Sequence, residues 1–166
     1  MSNPRFKSRK EVFGRTVFDT QTFGFDLMTD QEYRKFSRQH TVQEIKTDPC
    51  KEDRILYSPV RIYFDITAAC NLRCRMCLND SGPSLEDELT TPEAIKVIKG
   101  IQKDSIFHVK FSGGEPTQRS DWFELLSLAK ELGLTVGLNS NGIYDDATLT
   151  RLVAISPDEI SISLDG

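Results

Sequence analysis

The chain of 166 residues is 38% hydrophobic and 28% charged and has a formal net charge of −4 at pH 7. This composition is typical of one globular domain, or of one domain with a small appendage. The slight acidity, without a stripe of Lys and Arg, gives no electrostatic reason to expect a nucleic-acid partner. No apolar run approaches the roughly 20 residues that cross a bilayer, and no apolar core follows the basic N-terminus as in a secretory signal. We therefore expect a cytoplasmic protein with reduced cysteines and neither a nucleic-acid nor a membrane partner.

Residues 1–50 are predicted to form a small module of a β-hairpin and a helix. Apolar-rich runs within 12–29 flank the turn-like segment DTQT (19–22), a pattern typical of a hairpin. Asp30 can cap a helix that continues to about residue 45. The residues expected on its buried side are Tyr33, Phe36, Val42 and Ile45. A segment of this size buries little core alone, so we expect it to pack on the rest of the chain.

A linker is predicted over 51–58, and the main domain over 59–166. Cys50 lies in the polar segment TDPCKED, apart from the other cysteines. It is interpreted as an unpaired thiol, with an accessory ligand as the alternative.

From residue 59 onward, strand-like runs alternate with amphipathic helices, which predicts parallel βαβ units in an α/β fold. The strands are expected at 61–67, 107–111, 134–139 and 159–164. The helices are expected at about 92–103 after a Thr90 or Thr91 cap, from a Ser120 cap to Gly133, and at about 146–154. The apolar residues that recur at helical spacing, and that we assign to the core, are Ile95, Ile98, Ile101, Trp122, Leu125, Leu126, Ala129 and Leu132.

Three cysteines follow the first of these strands in the run CNLRCRMC, as Cys70, Cys74 and Cys77. The spacing C-x3-C-x2-C places three thiols on one loop and supplies no fourth. A structural zinc site normally takes four protein ligands, whereas iron–sulfur clusters are held by thiolates in many spacings. If three irons of a cubane are tied to protein, the fourth stays open to a substrate or cofactor. For the loop taken alone, a structural metal knuckle remains the alternative.

Polar motifs follow the later strands as well, in FSGGEPT (111–117), LNSNG (138–142) and SISLDG (161–166). In barrels of parallel strands, ligands bind at the carboxyl ends of the strands. Glycine allows backbone to approach a ligand closely. Tight turns without a ligand are the alternative for the GGEP and Asn-Gly segments.

The cysteine loop and these three motifs, in this order, resemble the radical S-adenosylmethionine (SAM) superfamily. The likeness is to the branch that includes peptide-modifying maturases and anaerobic sulfatase-type activating enzymes, and it covers about residues 58–166. It implies a partial (β/α) barrel of six strands, of which about four are accounted for. We therefore interpret the chain as the N-terminal portion of a longer protein.

The resemblance also implies two cofactors, a 4Fe–4S cluster on Cys70, Cys74 and Cys77, and SAM. Met76 stands where members often carry an aromatic residue, and it is apolar and polarizable enough to shield a cluster edge. By resemblance, the backbone of the GGEP segment meets the methionyl ammonium, and Ser163 lies near the carboxylate or ribose. The residues expected at SAM are Met76, Ser112, Gly113, Gly114, Glu115, Pro116, Asn139, Ser140, Asn141, Ser163 and Asp165.

The activity implied is reductive cleavage of SAM to a 5′-deoxyadenosyl radical that abstracts a hydrogen atom from substrate. The cofactor supplies this chemistry, while the protein fixes geometry and excludes competing reactions. We expect a peptide or protein substrate first, a tetrapyrrole second, and an electron donor such as flavodoxin or ferredoxin. A catalytically incomplete cluster-binding fragment is the alternative from another class. No catalytic residue is assigned, and His40 and His108 are expected to be structural.

Overall fold

Two four-stranded sheets build the structure, a computed structural model that describes residues 4–47 and 56–164. The first region contains β1 (Phe6–Glu11), β2 (Gly14–Asp19), β3 (Phe25–Met28), α1 (Asp30–Gln39) and β4 (Val42–Ile45). The second contains β5 (Arg61–Thr67), α2 (Thr91–Lys103), β6 (His108–Gly113), α3 (Trp122–Glu131), β7 (Thr135–Ser140), α4 (Asp146–Ile155) and β8 (Glu159–Ile162), with a 3₁₀ turn at Pro116–Gln118.

The second sheet has the order β5-β6-β7-β8, and all of its strands run parallel. Helices α2, α3 and α4 cover one face, where Val109, Phe111 and Leu138 are fully buried against apolar helix residues. Sequential parallel strands with helices on one side form part of a (β/α) barrel, as predicted. The core residues expected on α2 and α3 are buried or pack against the core.

Two of the expected helix starts are placed differently in the structure. Thr90 caps α2 through a reciprocal pair of hydrogen bonds with Glu93, as predicted. The prediction that Ser120 caps α3 is wrong, because Asp121 is the residue at the N-cap. In the first region, Thr29 and not Asp30 is the N-cap of α1, where it forms a capping box with Glu32.

The first region is more extensive than the predicted hairpin and helix. Its hairpin is confirmed, because β2 and β3 pair antiparallel on either side of the DTQT segment. However, α1 ends at Gln39, so Val42 and Ile45 lie on β4 and not on a helix. β4 pairs in parallel with the unpredicted strand β1, with Val42 opposite Phe6. The pairing lets Val42 pack beside Phe6 and Val17, and this tertiary contact prevails over the helical pattern.

The first sheet packs against the edge of the second sheet at which the parallel strands begin, which we call the base. The rings of Phe18 and Phe107 stack there with centroids 5.6 Å apart. The Lys7 ammonium donates to the Gly133 carbonyl, 2.8 Å away. Arg9 is fully buried and donates to the carbonyl oxygens of Ser58, Pro59 and Ser105. The expectation that the first region packs on the rest of the chain is confirmed.

Part of the predicted linker, residues 51–55, lies outside the described residues, as does Cys50. Within the parts of the chain that the structure covers, no helix is both long and apolar enough to traverse a bilayer.

Candidate functional site

A cavity of about 550 Å³ opens at the edge where the parallel strands end, which we call the rim. It is lined by the cysteine loop and by the ends of all four strands. The predicted site residues that line it are Cys70, Cys74, Met76, Cys77, Ser112, Gly113, Gly114, Asn139, Ser140, Asn141 and Ser163. The topology therefore brings four motifs that are distant in sequence to one place. Asp165 lies outside the described residues.

The cysteine loop presents three free thiols to this cavity. Cys70 is half-buried, and Cys74 and Cys77 are exposed. Hydrogen bonds from the backbone N–H groups of Ser81 and then Asn79 lower the pKa of the Cys77 thiol, which favours the thiolate that binds metals. Among the described residues, no three His, Cys, Asp or Glu side chains form a group that could hold one metal ion. Thiolates that ligate separate irons of a cluster need not converge on one ion.

Residues 67–69, which we call the arm, lead from β5 into the cysteine loop and are held from two sides. On one side, the Gly114 N–H donates to the Thr67 carbonyl at 2.8 Å, and the Glu115 N–H donates to the Ala69 carbonyl at 2.7 Å. On the other side, the Gly82 N–H donates to the Ala68 carbonyl at 3.0 Å. The arm therefore ties the cysteine loop directly to the GGEP turn.

The two glycines of the GGEP turn are required by this contact. Gly113 has φ +124°, and a Cβ there would collide with the Thr67 carbonyl oxygen. A Cβ on Gly114 would collide with the carbonyl oxygens of Ala68 and Ala69. The backbone that these glycines admit is that of the arm, so a side chain at either position would displace the segment entering the cysteine loop.

The side chain of Glu115 is fully buried and joins the ends of β6 and β7. Its carboxylate accepts hydrogen bonds from the Ser140 hydroxyl at 2.9 Å, the Asn141 N–H at 2.8 Å and the Thr117 hydroxyl at 2.8 Å. Pro116, also buried, starts the 3₁₀ turn. Glu115 and Pro116, both expected at the ligand, do not line the cavity, and the Glu115 side chain instead positions the end of β7.

The other polar residues at the strand ends also line the cavity, and neighbours hold some of them more firmly than others. The Asn139 amide donates to the Ser112 hydroxyl across a long 3.4 Å. The Ser163 N–H donates to the Ser140 carbonyl, and Ser163 lines the cavity. The Asn141 amide donates to Asn71 at 2.7 Å, and so links β7 to the cysteine loop. Met76 is 64% exposed beside the thiols.

Several residues of the site were missed in the sequence. Asp65, Asn79 and Ser81 line the cavity, and Glu88 bonds the Thr67 hydroxyl of the arm. Asp65 could have been found, since it precedes the cysteine loop at an alternate strand position and pairs in register with Ser112. The partners of Glu88 in the arm lie about twenty residues earlier in the chain and give no local pattern.

Comparison with known proteins agrees with this architecture. Residues 64–166 match the Radical SAM superfamily, whose members use a 4Fe–4S cluster and SAM. Mycofactocin maturase MftC from Mycobacterium tuberculosis is 36% identical over 115 residues, which cover 69% of this chain and 29% of MftC. Fe-coproporphyrin III synthase from Methanosarcina barkeri is 32% identical over 107 residues, which cover 63% of this chain and 27% of the synthase.

The fold also resembles that of a solved structure, Streptococcus suis SuiB bound to SAM. The TM-score is 0.66 at 15% sequence identity, with 89% of this chain and 44% of SuiB covered. The chain thus spans less than half the length of each of these proteins. The match over 64–166, with the cysteine loop and the strand-end motifs gathered at one rim, places the chain in the radical SAM superfamily.

Proposed function

We propose that the chain binds a 4Fe–4S cluster through Cys70, Cys74 and Cys77, binds SAM across the strand ends, and serves radical SAM chemistry on a peptide or protein. The observation that carries this proposal is the shared cavity of about 550 Å³, into which three thiols and the polar ends of β6, β7 and β8 converge. Ligand sites of barrel folds occupy this edge.

The donor set at the cysteine loop fits a cluster with one open iron. The loop brings three thiols to one cavity wall, and the N–H groups around Cys77 favour its thiolate. When bound, such a cluster supplies the electron that cleaves SAM to a 5′-deoxyadenosyl radical for hydrogen abstraction. The chain's own contribution is to hold the loop, through the arm, against the turn at which SAM binds.

The polar strand ends match the groups that SAM presents. The hydroxyls of Ser112 and Ser163 and the Asn139 amide supply both donors and acceptors for a carboxylate and a ribose. Carbonyl oxygens of the GGEP turn supply acceptors for an ammonium. Asp65 adds a carboxylate at the end of β5, and Glu115 keeps the end of β7 in place from below the surface.

A peptide or protein is the substrate class we favour. MftC carries the name of a maturase, and SuiB has been solved in complex with its precursor peptide SuiA at a TM-score of 0.65 to this chain. A tetrapyrrole is the second candidate, because Fe-coproporphyrin III synthase matches the chain at 32% identity. We further propose a cytoplasmic setting and an electron donor such as flavodoxin or ferredoxin.

The decisive experiment replaces Cys70, Cys74, Cys77 and Cys50 singly with Ala and measures iron per chain after anaerobic reconstitution with iron and sulfide. We expect iron to fall to background in the first three variants, because each removes one of three cluster ligands, and to remain at the wild-type level in Cys50→Ala. Retention of zinc without iron uptake by the wild-type chain would overturn the proposal, and full iron content in Cys74→Ala would overturn the ligand assignment.

A further inference from the structure

The Glu88 side chain contacts the arm at a third place, separate from the contacts of the arm with the GGEP turn and with Gly82. It lies in the loop between Cys77 and α2 and is half-buried. Its carboxylate accepts from the Ala68 N–H at 2.8 Å and from the Leu85 N–H at 3.1 Å. The Thr67 hydroxyl lies 3.0 Å from both carboxylate oxygens. A single side chain thus bonds two consecutive residues of the arm and the loop that crosses beside it.

The charge of Glu88 is stabilised by these hydrogen bonds. Partial burial by itself would raise the pKa of Glu88, but the N–H groups of Ala68 and Leu85 and the Thr67 hydroxyl lower it, with a further contribution from Arg119. Hydrogen bonds to an ionised acceptor are about twice as strong as neutral ones. Glu88 is therefore an ionised anchor at neutral pH.

The arm depends on this anchor because its other bonds do not engage the Ala68 and Ala69 N–H groups. The GGEP turn and Gly82 bond only carbonyl oxygens of the arm. The Ala68 N–H is taken by Glu88, and the Ala69 N–H donates at 3.0 Å to the Thr67 hydroxyl, which Glu88 itself orients. The next residue is Cys70.

We propose that Glu88 is a positioning residue of the cluster-binding loop, which fixes Thr67 and Ala68 so that Cys70 enters the cavity at the point a cluster requires. This role rests on the proposed function, since it assigns Glu88 a purpose toward the cluster. Glu88 acts through the arm and touches neither thiol nor cavity ligand. In a Glu88→Gln variant the amide oxygen can occupy the position that receives both backbone N–H groups, but it accepts as a neutral group and therefore holds the arm less strongly than the carboxylate.

The test begins with Glu88→Gln in the cluster-free chain, by amide-resolved hydrogen exchange. We expect the Ala68 amide to exchange about tenfold faster or more, since it loses a charge-assisted acceptor. Alkylation of Cys70, followed by peptide mass mapping, should also accelerate, while alkylation of the exposed Cys74 changes little. Glu86→Gln is the matched control, because Glu86 is exposed on the same loop and makes none of these bonds.

The second stage measures iron per chain and the electron paramagnetic resonance (EPR) spectrum after reconstitution. We expect Glu88→Gln to hold less iron than Glu86→Gln, with an altered spectrum in the fraction that loads. Thr67→Val removes the hydroxyl that accepts from the Ala69 N–H and keeps the shape of the side chain. If Glu88→Gln fails to fold, we expect this variant to show faster exchange at Ala69, and unchanged exchange there would overturn the role of the Glu88–Thr67 contact in holding the arm.

The outcomes separate this inference from the function beneath it. Unchanged exchange at Ala68 in a folded Glu88→Gln protein overturns the role of Glu88, as does iron loading and a spectrum equal to those of Glu86→Gln. Failure of the wild-type chain to take up iron overturns the proposed function instead, and the cluster-free exchange measurement still reports whether Glu88 holds the arm.

Discussion

Two buried cations hold backbone at the base of the parallel sheet, and two glutamates hold backbone at its rim, beside charged contacts of the other sign at each edge. At the base, the cations of Lys7 and Arg9 donate to carbonyl oxygens, among them Gly133 at 2.8 Å and Ser105 at 3.0 Å. At the rim, the carboxylates of Glu88 and Glu115 accept from backbone N–H groups. We attribute this difference to the direction of the chain, because helices end at the base, whereas the strands lead into turns at the rim.

Helices α2 and α3 end at the base, where their last carbonyl groups lack helical partners and carry the negative end of the helix dipole. Cations are favoured there, and those of Lys7 and Arg9 are almost fully buried. The rim consists of turns whose N–H groups need acceptors, and its thiols are exposed or half-buried. We conclude that the contacts at the base mainly stabilise the fold. The rim is less buried and forms a site that a ligand can enter.

Replacement of Arg9 should produce the largest effect on stability. The Arg9 side chain is fully buried, pairs with the buried Glu11 and stacks over the Phe107 ring. Arg9→Ala removes the charge partner of the buried Glu11 carboxylate, which keeps only the Thr16 hydroxyl and the Tyr57 N–H as donors. It also leaves several carbonyls without their donor, so we expect the free energy of unfolding to fall by about 3–5 kcal/mol. Urea denaturation measures this. Arg5→Ala, which breaks an ion pair with a 52% exposed Arg5 side chain, should cost less than about 1 kcal/mol. Equal losses of stability in the two variants would contradict the conclusion that buried contacts at the base stabilise the fold.

Lowering the pH should destabilise the fold through His108, which lies at the base. The ring is fully buried, accepts from Arg61 at Nδ1 and is surrounded by Arg61, Glu159, Lys110 and Asp158. Burial, followed by the positive charge of Arg61, lowers the pKa of His108 from 6.5 to about 4. Because the folded pKa is depressed, the unfolded chain binds a proton in this range that the folded chain does not, so stability is lost as the pH falls.

We expect His108 to account for a loss of up to about 3 kcal/mol between its unfolded and folded pKa values. Denaturation curves across this pH range, recorded for wild type and His108→Gln, isolate that contribution. His40→Gln is the control, because His40 is the other histidine of the chain and is exposed. A His108→Gln protein as acid-sensitive as wild type would show that the buried ring does not titrate as described.

At the rim, Glu115→Gln should have a smaller effect on stability and a clear effect on the site. An amide can serve only part of the set of donors from Ser140, Asn141 and Thr117, so we expect a cost of about 1–3 kcal/mol in unfolding. The end of β7 should also move, which weakens SAM binding in calorimetric titration of the cluster-loaded chain. Glu124→Gln on exposed helix surface is the control. Unchanged SAM affinity would show that Glu115 serves the fold alone.

The second region is predictable from its sequence because the signals for its strands and helices are local. The strand at 61–67 is bounded as expected, and the apolar spacing of α2 and α3 predicted their buried faces. The parallel topology then brought the strand-end motifs to one cavity, since carboxyl ends of parallel strands share an edge.

The first region was predicted less well because its structure depends on distant partners. The strand β1 has the sequence FKSRKE, whose charges suggest an exposed segment. Lys7 and Arg9 become buried because carbonyl groups of the base, about a hundred residues away, receive them. Likewise, the four residues of β4 are too few for a clear alternation, and their strand state is fixed by pairing with β1. Glu88 escaped notice for the same reason.

The most direct test of the account is the EPR spectrum of the reduced, anaerobically reconstituted chain, recorded with and without SAM. A cluster held by Cys70, Cys74 and Cys77 keeps one iron open at the cavity shared with the polar strand ends. We therefore predict a 4Fe–4S signal that shifts when SAM is added and does not shift when buffer alone is added instead. A signal that is indifferent to SAM, or a chain that holds zinc and takes up no iron, would contradict the central claim.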